Sequence, residues 1–528
     1  MSILKLKQAL SFFPGRSLRG ALPGLLAATL LAVAPVGAQA AAPEAAAAQP
    51  VRGGSLTVGV AGGSEKDTLD AHRPITHPDE ARVLQLFDRL LEMDPDQHVQ
   101  PSLASSVTAN ADATVWTVTL REGIQFSDGR PITLDDVIAS FLRMSDPQHP
   151  TTGTVPLRYL QRDAFVKVDD HTLEFHFSKP VVDFEEMVSN YFFGIVPADY
   201  DPAKPVSSGP YMLKSFVPGQ QSTFVRNPHY WRAGQPYLDS VTIVDFQDDT
   251  ARVNALLSNQ VDAIEAVPLG QVRIVQANPQ MRVLESHTAG FVPFTMRVDK
   301  EPFTDPRVRQ AFRLIVNRKQ MVAQVLAGRG DIGNDLFSRY DACFAKDIPQ
   351  RTQDIAKAKQ LLKEAGKENL EVELVTSPVG AGFVEAAQVF AQQAKAAGVT
   401  VHVNRVDPGV FYGDQYLKWT FAQDFYYTHG YINQIQQSSL PDAPYNETHW
   451  NDPEWVSLVG EAMQTADAEK RCQLIQQAQK IEHERGSFII WGFPNALDAY
   501  NKKVHGLQPD KSGIGLTSFR LRQVWLAQ

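Results

Sequence analysis

LEVELVTSPVGAGFVEAAQVFAQQAKAAGVTVHVNRV, residues 370–406, is the stretch whose pattern decides the fold class. Leu370, Val372 and Leu374 alternate with Glu371 and Glu373, the period of a half-buried strand. Val399, Val401 and Val403 alternate in the same way after Gly398. Between them, residues 383–397 place apolar side chains at helical spacing and stop at that glycine, which suits a helix terminus. Parallel strands need a crossover connection, and a helix of this length supplies it. The stretch therefore reads as a βαβ unit, and the chain as an α/β protein with parallel sheet in its second half.

Working outward, Asp305-Pro306 followed by Val308, Ala311, Phe312, Ile315, Val316, Val322, Val325 and Leu326 predicts a helix over 307–326. Residues 354–365 predict another, closed by Gly366. The first half is richer in strands, at 55–60, 115–120 and 171–177. It also carries a helical stripe over 81–91 and a helix over 134–144, opened by Thr133, Asp135 and Asp136. A single hydrophobic core stops growing near ~250–300 residues, so 528 residues imply at least two lobes.

The first forty residues differ from the rest. Lys5, Lys7, Arg16 and Arg19 precede an apolar run over 21–36 and the small-residue pattern Ala38-Gln39-Ala40. That order is a secretory signal peptide over 1–40, and its run, broken by Pro23 and Pro35, is short for a bilayer span of ~20 residues. Alanine-rich residues 41–52 read as a flexible leader. The expected address is periplasmic. The net charge of −9 grows more negative once the four basic leader residues are removed, which argues against nucleic acid or an anionic membrane as partner. Cys343 and Cys472 allow one disulfide in an oxidising compartment, or two buried free thiols.

Motifs for catalysis are missing from the sequence. Residues 328–333 have the glycine spacing of a dinucleotide loop but follow a helix instead of a strand, so they read as a helix end running into a polar loop. His72 and His77 form too small a set for a metal, and Asp245, Asp248 and Asp249 lack calcium-loop spacing. The expectation is a binding protein with no cofactor, no metal and no catalytic residue.

Five segments in order resemble the family 5 extracellular solute-binding proteins of ABC importers, the peptide- and nickel-binding group. They are the opening at 53–60 with Asp67-Thr68-Leu69-Asp70, the stretch WTVTLREGIQFSDG at 116–129, Ser208-Gly209-Pro210-Tyr211, RNPHYW at 226–231, and DPRVRQAF at 305–312. Ala71 stands where that family usually has proline. The resemblance implies a type II periplasmic-binding-protein clamp of the large cluster, with an extra N-terminal subdomain. Lobe I would be discontinuous (53–295 with 497–528), lobe II would span 296–496, and crossings near 294–298 and 495–500 would form the hinge. It implies a monomer that captures a peptide or peptide-like solute and delivers it to a membrane permease. The other reading within the fold is a receptor for a metal chelate, an opine or another non-peptide molecule.

Residues 421–437 combine aromatic and amide side chains without lysine or arginine, the make-up of a small-molecule site. Tyr427, His429, Tyr431, Asn433 and Gln434 are its candidate ligand residues, and Ser64 and Thr68 in the loop 63–69 are those of the first lobe. The resemblance puts Tyr431 on a tryptophan that packs against the ligand. It puts Gln434 on an aspartate that pairs with a peptide ammonium, so a free N-terminus is expected to be read weakly here, or by another acid such as Asp424.

Overall fold

In a computed structural model, which describes residues 49–380 and 382–527, strand Ser55–Ala61 lies at the centre of a seven-stranded sheet. The order is Met281–Ser286, Ala496–Asn501, Ala263–Ile264, Ser55–Ala61, Ser240–Phe246, Gln221–Arg226, Tyr211–Val217. Ser55–Ala61 runs parallel to both neighbours, and the remaining pairs are antiparallel. Leu56, Val58 and Val60 point into a core shared with Val83 and Leu86 of helix His77–Leu86. The signal peptide read over 1–40 and most of the leader read over 41–52 lie outside the described residues.

A four-stranded antiparallel sheet, Ala104–Ala109, Val115–Leu120, Thr172–His176 and Val166–Lys167, packs on helix Leu134–Met144. Trp116, Phe141, Phe175 and Phe184 fill the space between them. The strand over 115–120 and the helix over 134–144 stand where their patterns put them, because both alternations bury a continuous apolar face.

The deciding stretch forms its βαβ unit. Glu371–Thr376 pairs in parallel with Thr400–Arg405, and helix Phe383–Ala394 with the 3-10 turn Lys395–Ala397 crosses between them. Nearby, Phe294–Met296 is paired on both sides, by Phe421–Gln423 and Phe488–Ile489, around a core of Phe294, Phe303, Phe312, Phe390 and Phe421. These residues, read as a crossing, form the middle strand of a sheet. Residues 287–293 and Asn495 carry the chain between this region and the seven-stranded sheet.

Three other readings change. The helix expected over 307–326 is two, Pro306–Ile315 and Arg318–Val325: Val316 is extended, and the Asn317 side chain accepts from the Gln320 N–H to cap the second. Residues 328–333 do follow a helix, yet Gly330–Ile332 pairs as a strand with Gly492–Pro494. The helix expected over 81–91 is His77–Leu86. Thr76 and Asp79 close a reciprocal capping box at its start, and Phe87 leaves it in an extended conformation before strand Leu91–Met93. That early exit turns Arg89 toward a cavity.

Candidate functional site

The cavity, about 320 Å³, lies where segments 84–99, 186–191 and 512–522 face segments 340–342 and 427–430. The first group belongs to, or packs with, the seven- and four-stranded sheets; the second comes from the region beyond residue 294. A solute held here touches both regions, as a clamp requires.

Loop 427–430 carries the wall of the second region and is tied to the first region at three points. The Tyr427 hydroxyl and His77 Nε2 lie 2.9 Å apart. Thr428 N–H donates to the Ser512 carbonyl at 3.0 Å. Gly430 N–H donates to Glu186 Oε1 at 2.7 Å. A Cβ at 430 would meet the Glu186 carboxylate, so a larger residue there would have to displace the side chain that the Gly430 N–H bonds. Phe425 and Tyr427 meet edge to face beside this loop.

Acidic and basic side chains both reach the walls. Glu186 and Asp341 line the cavity, and desolvation, opposed by the Gly430 bond and reinforced by Asp341, pushes Glu186 up to about 8. Asp341 accepts from the Tyr431 and Cys343 N–H groups, each at 2.7 Å. Desolvation pushes His429 down to about 4, so its ring is neutral at neutral pH. Arg89, Arg520 and Arg522 bring cations. Arg520 pairs with Asp510, and Arg522 donates to both oxygens of Glu92 at 2.9 Å. At His77, desolvation opposes the charge, but the Glu265 carboxylate 3.0 Å away and the field of Glu80 outweigh it and hold the ring up at about 9.

The structure divides the candidate residues. Tyr427 and His429 line the cavity. Tyr431, Asn433 and Gln434 do not, because Gly430 opens helix Tyr431–Ser438 and its buried face turns into the core of the second region. Tyr431 is fully buried, stacks on Phe337, and donates its hydroxyl to Glu482 at 2.7 Å. The Gln434 amide donates to Ser438 at 2.9 Å, and Asn433 accepts from Gln437 at 2.7 Å. Asp424, the alternative acid, is buried under the Tyr412 and Tyr416 hydroxyls, away from the cavity. Ser64 and Thr68 also lie elsewhere: their hydroxyls accept from the Lys66 and Asp70 N–H groups inside their own loop. That loop is anchored by Arg82, which is fully buried and bonded to Asp67, Asp79 and Asp245. Cys343 and Cys472 are joined in a disulfide.

Sequence reasoning missed Arg89, Glu186, Tyr340, Asp341 and Arg520. One trace was available for the first. Arg89 interrupts the apolar run Val83, Leu84, Leu86, Phe87, Leu90 and Leu91, where a cation has no core role.

Among the described residues no group of three or more histidine, cysteine or acidic side chains is placed to hold a metal. Fold and cavity together define a two-lobed solute-binding clamp. The sequence profile described as "Bacterial extracellular solute-binding proteins, family 5 Middle" matches residues 98–451, and the chain belongs to that family. Di/tripeptide-binding protein 2 of Pseudomonas aeruginosa (strain UCBPP-PA14) is 26% identical over 469 residues, which cover 81% of this chain and 87% of that protein. Two solved structures share the fold. AgaA of A. tumefaciens R10, in complex with agropinic acid, gives a TM-score of 0.78 at 23% identity, covering 90% of this chain and 99% of its own. DppA of Helicobacter pylori, an ABC-transporter-associated periplasmic binding protein in complex with the peptide STSA, gives 0.78 at 19% identity, with the same coverage of each chain.

Proposed function

We propose that this protein is the periplasmic substrate-binding component of an ABC importer. It captures a peptide or peptide-like solute between its two lobes, performs no reaction on it, and hands it as a monomer to a membrane permease. Residues 1–40 would direct export. Lobe I would comprise the seven- and four-stranded sheets with the C-terminal segment, and lobe II the region between residue 294 and Pro494, closing about the connections at 287–293 and Asn495. The observation that carries this reading is the cavity between the two regions, with arginines and Asp341 both on its walls. A short peptide presents both charges, and burying them together offsets their desolvation. Tyr427 and His429 are assigned to the ligand wall.

Closure gives the permease a means to tell loaded from empty protein, because contacts from both lobes exist only in the closed form. Native mass spectrometry of the full chain, purified without refolding, tests the reading. Adducts with masses of short peptides are expected. A metal adduct or a non-peptide mass would overturn the peptide assignment and favour a chelate or opine receptor.

A further inference from the structure

Arg89 is the cation of the cavity wall that has no counter-charge. Its side chain is more than nine-tenths buried, since the residue is only 7% exposed, and it lines the cavity. Among the described residues its Nε has no hydrogen-bond partner and its guanidinium no carboxylate within ion-pair distance. The nearest acids are already engaged. Asp88 accepts from Trp231 Nε1 at 2.7 Å, and Glu92 accepts from Arg232 at 2.7 Å and from Arg522 at 2.9 Å. Arg89, Arg232 and Arg522 thus surround Asp88 and Glu92 with one positive charge in excess. Arg520, the other arginine at this wall, is matched by Asp510.

A guanidinium taken out of water without an anion is costly. We propose that Arg89 is the carboxylate receptor of the cavity, so that solutes enter as free acids and dock a carboxylate on its fork of donors. The planar fork matches a carboxylate bidentately, which a lysine ammonium does not. The proposal rests on the solute-binding reading above and adds a chemical requirement to it. The chain leaves helix His77–Leu86 at Phe87, and that exit carries residue 89 to the wall.

The test uses the full exported chain and two probe sets. One contains di- to pentapeptides and the other non-peptide amino-acid-derived acids, each as free acid and as methyl ester, measured by thermal shift and calorimetry. Wild type is expected to prefer acid over ester by about tenfold or more, and Arg89→Gln to lose that preference. Arg89→Lys keeps the charge without the fork and is expected to retain a reduced preference, which gives a second reading should the glutamine variant fold poorly. Removing an unpaired buried cation is expected to raise the melting temperature of the empty protein, whereas an arginine with a structural role would lower it. Acid-dependent, Arg89-dependent binding confined to the non-peptide set upholds the receptor and sinks the peptide reading. Equal binding of acid and ester, an undiminished acid preference in Arg89→Gln, or no binder in either set overturns the receptor.

Discussion

Tyr431 shows how one side chain can satisfy a ligand-site pattern and serve a core. Its hydroxyl and Trp455 Nε1 both donate to Glu482 Oε1, at 2.7 and 2.8 Å, in a pocket closed to solvent. Tyr431→Phe is therefore expected to cost about 1 kcal/mol in chemical denaturation and to leave solute affinity unchanged. A clear loss of affinity would return Tyr431 to the ligand site. Glu482 itself gives a pH signature. Burial pushes it from 4.5 up to about 8, so its stabilising contribution is complete below pH 4.5 and is lost as pH rises through 8. Glu482 Oε2 has no hydrogen-bond partner, so the neutral acid and a glutamine amide face the same surroundings. Glu482→Gln is expected to match wild type near pH 4 and to exceed it by several kcal/mol near pH 8.5, read from melts at both values. Stability curves that stay parallel across that range would show that Glu482 is ionised in the fold. The sequence could not place these side chains, because the aromatic and amide composition of 421–437 suits a wet wall and a dry core equally. What separates Tyr427 from Tyr431 is the start of a helix at Gly430, whose N–H is held by the carboxylate of Glu186, 244 residues earlier.

At the level of elements, legibility followed locality. Strand 115–120 and helix 134–144 were readable because alternation and capping are written in neighbouring residues. The helix break at Asn317 was not, since the apolar stripe continues across it and only the cap geometry interrupts the ladder. Asn317→Ala is expected to cost about 1 kcal/mol through loss of that cap, measured by thermal or urea unfolding. No change on substitution would mean that packing alone sets the break. The seven-stranded sheet was the least legible element. Its parallel pairs join residue 55 to residue 240 and residue 58 to residue 263, and no local pattern reports partners so far apart. Arg89 falls between these cases: a cation inside an apolar run was visible, but its role depends on where the helix ends.

For the whole molecule, the disulfide between Cys343 and Cys472 closes a sequence separation of 129 residues. It fastens the segment bearing Tyr340 and Asp341, which face the cavity, to helix Ala468–Arg485. Reduction, or the double replacement by serine, is expected to cost about 2–4 kcal/mol and lower the melting temperature. Solute binding by the folded fraction should persist, because neither sulfur lines the cavity. An unchanged melt under reductant would mean that the bond constrains the unfolded chain very little.

Strand Ala496–Asn501 sits inside the seven-stranded sheet, between Met281–Ser286 and Ala263–Ile264. Time therefore enters the architecture. The strands over 55–286 are synthesised first, yet Met281–Ser286 has no place in their sheet until residue 501 has left the ribosome, because only Ala496–Asn501 joins it to the other five strands. A nascent chain halted before residue 496 should lack an ordered edge strand over 281–286 while the four-stranded sheet over 104–176 is already protease-resistant, which limited proteolysis would read. Completion of the first-made sheet therefore waits for nearly the whole chain.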